Sequence, residues 1–194
     1  MSAPASNPME ATRRRLTGKQ AETVARLTSA AVVVLAREGY AATTIRLIAA
    51  EAGVGTATAY TYFSSKDHII AEVYWRRFTA TEPEDLPDAD PATRAIAVLR
   101  QVSTLVADEP ALAAAMSQAL LGEDPDVAHL RVRIGMALHE RLVEALGSDN
   151  PELVEDLEDL ELVYYGAMLQ AGMGHLTYAA AADRLERCAR RLLG

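Results

Sequence analysis

The side chains best suited to chemistry in this chain are hydroxyls and cations gathered between Thr43 and Lys66. That run reads Thr-Thr-Ile-Arg-Leu-Ile-Ala-Ala-Glu-Ala-Gly-Val-Gly-Thr-Ala-Thr-Ala-Tyr-Thr-Tyr-Phe-Ser-Ser-Lys. Ile45, Ile48, Ala49 and Ala52 recur at i, i+3, i+4 and i+7, the spacing of a helix with one apolar face. Thr44 stands in front of them as an N-cap. Gly53, Val54 and Gly55 make a tight turn, and Thr56 to Phe63 forms a second helix of about two turns. Two short helices joined through glycine have the geometry of a helix-turn-helix, whose second member enters the major groove of DNA. Its exposed face would carry Thr56, Thr58, Thr61 and Tyr62, with Tyr60 beside them. Groups of this kind reach phosphates, base edges and thymine methyls. Lys66 opens the next helix, where its charge adds to the positive end of the helix dipole and suits a phosphate clamp.

The net charge of −8 argues at first against such a partner, but its distribution along the chain points the other way. Residues 1–79 hold ten Lys/Arg against six Asp/Glu, and residues 80–194 hold nine against twenty-one. A basic head on an acidic body fits a polyanion-binding module carried by a domain with another task.

The elements that must position these groups are helices throughout, so the fold class is all-α. Half the 194 residues are hydrophobic, Ala and Leu dominate, and only 5% are aromatic. Residues 1–16 read as a tail with little to bury, in which Arg13, Arg14 and Arg15 offer a basic arm to DNA. A first helix runs from Lys19 to Glu38 and stops at Gly39. A fourth helix starts after Ser65, another N-cap. Thr81 to Pro91, with three prolines and five acidic residues, is the clearest linker. Five further helices follow near Ala92–Ala107, Ala111–Leu121, Val127–Leu146, Glu152–Met173 and Ala179–Leu193. The expected division is a tail over 1–16, a helix-turn-helix head over 17–66 and a helical body over 67–194.

Other chemistries leave no trace. There is no GxSxG, HExxH or P-loop, so no catalytic residue is nominated and an enzyme is not expected. His68, His129, His139 and His175 lack metal-ligand spacing, and neither metal nor cofactor is expected. One cysteine, Cys188, allows no internal disulfide. The longest apolar stretch, Leu27 to Ala36, is too short to cross a bilayer, and the residues after Arg15 are too polar for an export signal. A cytoplasmic location without membrane contact is therefore expected.

The order Thr43-Thr44, Ile48-Ala49, Ala52-Gly53-Val54, Thr58, Tyr60, Tyr62-Phe63 and Ser65-Lys66 resembles the N-terminal signature of the TetR family, and the match extends over about residues 19–75. Beyond that, only length and helical layout agree. The resemblance implies that Thr44 and Arg46 touch backbone or bases, that Thr56, Thr58 and Thr61 face the groove, and that Tyr60, Tyr62 and Lys66 anchor phosphates. Gly55, at the start of the reading helix, belongs to the same set. It stands where the family often has Ser, so a side-chain cap is lost. Ala59 replaces a commoner larger apolar residue.

The resemblance also implies a pocket and a dimer face in the acidic half. The helix at Val127–Leu146 has two apolar faces, Leu130, Ile134, Leu138, Leu142 and Val132, Met136, His139, Val143, Leu146. A helix apolar on two sides is central, and such helices often line cavities. The expected lining is Trp75, Met116, Met136, His139, Tyr164 and Met168. Leu157, Leu160 and Tyr164 repeat at helical spacing, as do Leu185, Cys188 and Leu192, and the resemblance implies that two copies of this helix pair form a homodimer interface.

The function expected is a sequence-specific regulator, a repressor released from a palindromic DNA operator by a small, largely apolar effector. The competing expectation is a non-specific or architectural DNA binder without a ligand, marked by steep salt dependence and no sequence preference.

Overall fold

The computed structural model describes residues 18–147 and 151–193, with side chains in the last helix pair described from residue 156 onward. The expected tail and its three arginines lie outside the described residues. Among the described residues the structure is all-α: α1 (Gly18–Ala42), α2 (Ile45–Glu51), α3 (Thr56–Tyr62), α4 (Lys66–Ala80), α5 (Pro91–Thr104), α6 (Pro110–Leu120), α7 (Pro125–Leu146), α8 (Pro151–Gly172) and α9 (Tyr178–Leu192).

Local chemistry sets most of the boundaries. Gly39 breaks α1 with φ 74° and ψ 169°, a conformation that side chains disfavour. Thr43 fixes that break by donating its hydroxyl to the Gly39 carbonyl at 2.7 Å. Thr44 and Ser65 cap α2 and α4, accepting from Leu47 N at 3.2 Å and His68 N at 3.1 Å. Asp90, Asp124 and Thr177 do the same for α5, α7 and α9.

Four helices begin one or two residues ahead of the expected starts, each on a proline: Pro91, Pro110, Pro125 and Pro151. A helix's first N–H has no intrahelical acceptor, so proline loses nothing there and its fixed φ favours the start.

The helices share one continuous apolar core, running from Val24 and Leu27 in α1 through Ile69 and Ile70 in α4 and Leu138 in α7 to Leu185 in α9. α1 packs on α2, α4 and α6, and α4 also contacts α7. α9 lies between α5 and α8, completing the body. No helix among the described residues is long and apolar enough to cross a membrane.

α7 holds α4 at both ends. At the far end, Arg141 donates to the Phe78 and Thr81 carbonyls at 2.8 and 2.9 Å, with its guanidinium carbon 4.0 Å from the centre of the Phe78 ring. At the near end, Asp124 receives the Ser64 hydroxyl at 2.8 Å. α7 and the ends of α4 are thus joined by polar contacts at two separate points.

Candidate nucleic-acid interface and effector cavity

The head is assembled around the turn between α2 and α3. Gly53 holds φ 61°, and the Val54 N–H returns to the Ala49 carbonyl at 2.9 Å. Arg26 reaches across from α1 and donates to the Ala52 carbonyl (Nε, 3.0 Å) and the Gly53 carbonyl (Nη2, 2.8 Å). This brace closes carbonyls at the end of α2 that have no helical partner. Sequence reasoning missed Arg26 because its partners lie a helix away and no local pattern marks it.

The turn sets α3 with one face down and one face out. Ala59 and Phe63 are fully buried and Ile48 and Ala49 of α2 pack into the same core. Thr58, Thr61 and Tyr60 face solvent, Tyr60 being 51% exposed, and Thr56 is half-buried. Ala57, which no sequence pattern singles out, is exposed beside them. The Thr61 hydroxyl donates to the Ala57 carbonyl at 3.1 Å, which leaves its lone pairs and methyl outward. Thr44 and Arg46 are also exposed, at the start of α2. Gly55 caps α3 without any side-chain bond, as its lack of a side chain requires.

Two expected phosphate anchors have other partners. Tyr62 is 7% exposed and covers the core beneath α3, because it falls on the same helical face as Ala59. Lys66 is half-buried; its ammonium lies 4.0 Å over the Tyr40 ring and donates to the Tyr40 carbonyl at 2.7 Å. Tyr40 in turn donates its hydroxyl to Asp67 at 2.8 Å, and burial together with that bond pushes its pKa up to about 12. Lys66 thus ties the end of α1 to the start of α4.

Residues 27–73 match the profile described as bacterial regulatory proteins of the tetR family, and residues 89–192 match that of the tetracyclin repressor-like C-terminal domain. The chain belongs to the TetR family. It is 42% identical over 173 residues to an uncharacterized HTH-type transcriptional regulator of Mycobacterium tuberculosis, a match spanning 86% of this chain and 78% of the relative. It is 26% identical over 181 residues to the HTH-type transcriptional repressor KstR of Rhodococcus jostii, spanning 90% and 84%. Its fold is similar to that of the transcriptional regulator FadR of Bacillus subtilis, solved in complex with stearoyl-CoA, with TM-score 0.62, 17% identity and coverage of 85% and 96%. This TetR protein is therefore a DNA-binding transcriptional regulator, from a family whose members form dimers.

The body of this TetR regulator contains a cavity of about 400 Å³ between α4, α5, α6, α7 and α8, a volume within the usual range for small-molecule sites. Its floor includes buried Tyr74, Ser103, Met116 and Tyr164, and its rim includes exposed Leu121, Arg131, Leu162 and Leu169. Met116, Tyr164 and Met168 are thus brought together as lining. Trp75, Met136 and His139 are not. Trp75 points into the core, stacked on Phe78 with ring centres 6.1 Å apart. Met136 is 59% exposed on the outer side of α7, and His139 pairs with Glu161 of α8 at 2.9 Å. Of the second apolar face of α7, Val132, Met136 and Val143 face outward while Leu146 is buried, a split that periodicity alone does not reveal. Ser103, which carries no sequence signal of its own, is the more telling lining residue.

The expected dimer residues also land differently. Leu157, Leu160, Tyr164 and Leu185 are buried within the protomer, where α8 meets α9 and α6, while Cys188 and Leu192 are half-buried. The most strongly periodic face of a terminal helix is taken by its own core. A different stripe remains exposed on α8, Leu162 (71%), Gly166 and Leu169 (40%), continued just beyond the helix by Met173.

Proposed function

We propose that this protein is a homodimeric, cytoplasmic, sequence-specific repressor that leaves a palindromic operator when a small, largely apolar molecule enters the body. Residues 17–66 form the reading head and 67–194 the effector and dimer body. The observation that carries the reading is the split face of α3, with Ala59 and Phe63 anchored in the core and Thr58, Tyr60 and Thr61 turned to solvent. These three, with Thr56, Gly55, Thr44 and Arg46, form the contact set; Tyr62 and Lys66 support it from beneath.

The repressor sign follows the similarity to KstR, and the apolar effector follows the cavity, supported by FadR's capture of an acyl thioester on the same fold. Two copies meet through the exposed stripe of α8, whose Leu162 and Leu169 also edge the cavity, so the partner borders the effector's entrance. An effector acts only by binding the DNA-competent and DNA-incompetent states unequally. The cavity is suited to that, because α4 carries Tyr74 on its floor while its two ends are held by α7.

The test is a fluorescence-anisotropy titration against the intergenic DNA flanking the protein's own gene, with scrambled DNA of equal length as control. Saturable binding that prefers the natural sequence, with two protomers per palindrome, is expected. Random-sequence selection follows if that DNA is not preferred. Failure to enrich any motif, with binding that falls steeply in salt, would replace this reading with a non-specific DNA binder.

A further inference from the structure

The cavity's walls are apolar, yet its floor carries hydroxyl donors without an acceptor. Ser103 is 1% exposed, lines the cavity, and its Oγ has no hydrogen-bond partner among the described residues. A buried hydroxyl left unpaired keeps its desolvation penalty and so destabilises the fold. Folded proteins rarely retain such groups without a use for them.

In the same lining, the buried Tyr74 and Tyr164 hydroxyls lie 3.4 Å apart. One of the pair donates to the other, so the second proton has no acceptor within the pair. Burial raises both phenols, Tyr74 to about 12, so both remain protonated donors at neutral pH. Tyr178, also in the lining, is not in this position: its hydroxyl already donates to the Ala113 carbonyl at 3.2 Å.

The rim differs from the floor. Arg131 is exposed, lines the cavity and donates to the Leu120 carbonyl at the end of α6, which holds its guanidinium beside the opening. A guanidinium presents five N–H donors, so this bond leaves others for a second partner, and that geometry suits a carboxylate or phosphate. The rest of the lining includes apolar Val102, Val106, Ile134 and Met168.

We infer that the effector is polar at both ends, an elongated apolar body with a hydrogen-bond-accepting oxygen (carbonyl or hydroxyl) seated on Ser103 and the Tyr74–Tyr164 pair, and an anionic group at Arg131. This rests on the cavity being the effector site, and it narrows "largely apolar" to one class. A hydrocarbon, a neutral lipid or an unsubstituted fatty acid meets only part of the site.

The experiment is calorimetric titration of the full-length protein, without DNA, with dodecanoic acid, ω-hydroxydodecanoic acid and dodecanol, repeated on longer and shorter homologues. The wild type is expected to bind the ω-hydroxy acid roughly ten-fold tighter than the plain acid at its best chain length. Ser103→Ala should erase most of that preference while retaining the plain acid. Because it removes an unpaired hydroxyl, it should leave the melting temperature unchanged or higher. Arg131→Gln should weaken both acids roughly ten-fold and leave the alcohol unchanged. Equal affinity for the two acids at every chain length, a preference that survives Ser103→Ala, or no acid binding at all would each overturn the inference. Operator binding is measured separately. A protein that binds its operator and takes plain acids without preference keeps the regulator reading and loses only the two-ended effector.

Discussion

Ser64, in the short connection between the reading helix and α4, donates its hydroxyl to both oxygens of Asp124, at 2.8 and 3.1 Å. Asp124 is at the same time the N-cap of α7, accepting from Asp126 N at 2.8 Å. Burial opposes its charge, but hydrogen bonds from the Ser65 and Ser64 side chains and the Asp126 and Val127 backbone outweigh it and hold its pKa below the ordinary carboxylate range. The Ser64 N–H also meets His68 Nδ1 at 3.3 Å, so the start of α4 and the start of α7 form one polar joint. We predict that Ser64→Ala loosens the transmission from cavity to head more than it harms either site. Operator affinity should stay within about two-fold, while the effector concentration needed for release rises roughly five-fold or more, in line with a coupling term of about 1 kcal/mol. Superimposable release curves for the two proteins would remove the joint from the pathway.

The split face of α3 predicts two classes of variant. Thr58→Ala and Tyr60→Ala touch exposed groups and should weaken operator binding by roughly ten-fold, with stability changed by no more than about 0.5 kcal/mol. Arg46→Ala should lower affinity for all sequences alike and reduce the salt slope by about one. Tyr62→Ala instead empties a buried position and should destabilise the protein by about 3 kcal/mol or more. Anisotropy paired with denaturant unfolding separates the classes; a Tyr62 variant of normal stability that fails on DNA would place that residue at the phosphates after all.

What the sequence disclosed was local. Thr44 and Ser65 were legible as caps because their partners lie three residues on, and the helix-turn-helix because its whole pattern fits within some twenty positions. The prolines misled, since a breaker inside a helix is also a favoured first residue. Residues whose role depends on distant partners stayed hidden. Arg26 braces a turn a helix away, and Ser103 looks like an ordinary helical serine until the cavity beside it is seen. Helical period found the apolar faces of α7 and α8 but could not say which faced the core, the cavity or the surface, because all three bury or present similar side chains.

The exposed stripe of α8 predicts the dimer. Leu169→Glu should shift the protein from dimer to a monomer near 21 kDa in sedimentation at micromolar concentration, with little loss of secondary structure. Leu157→Ala, one helical face away, should instead destabilise the protomer by about 2–5 kcal/mol, since Leu157 is buried within it. A Leu169→Glu protein that remains dimeric would move the interface off this stripe.

Glu72 predicts an unusual pH dependence of stability. Its side chain is fully buried in α4, with one oxygen on Arg76 at 2.7 Å and the other, Oε2, without a hydrogen-bond partner. Burial pushes its pKa up to about 7, although Arg76 draws it down. A raised carboxyl pKa means the folded state holds a proton that the unfolded chain has released, so between about 4.5 and 7 this group's contribution falls as pH rises. Above that window the penalty is constant. Glu72→Gln keeps the shape and removes the titration, so the stability of the variant relative to wild type should grow across the window by on the order of 1–3 kcal/mol. Denaturant unfolding of both proteins at a series of pH values reads this difference directly. A flat difference from pH 4.5 to 8 would mean that Arg76 holds Glu72 ionised throughout, and that the buried carboxylate is a fixed charge in α4.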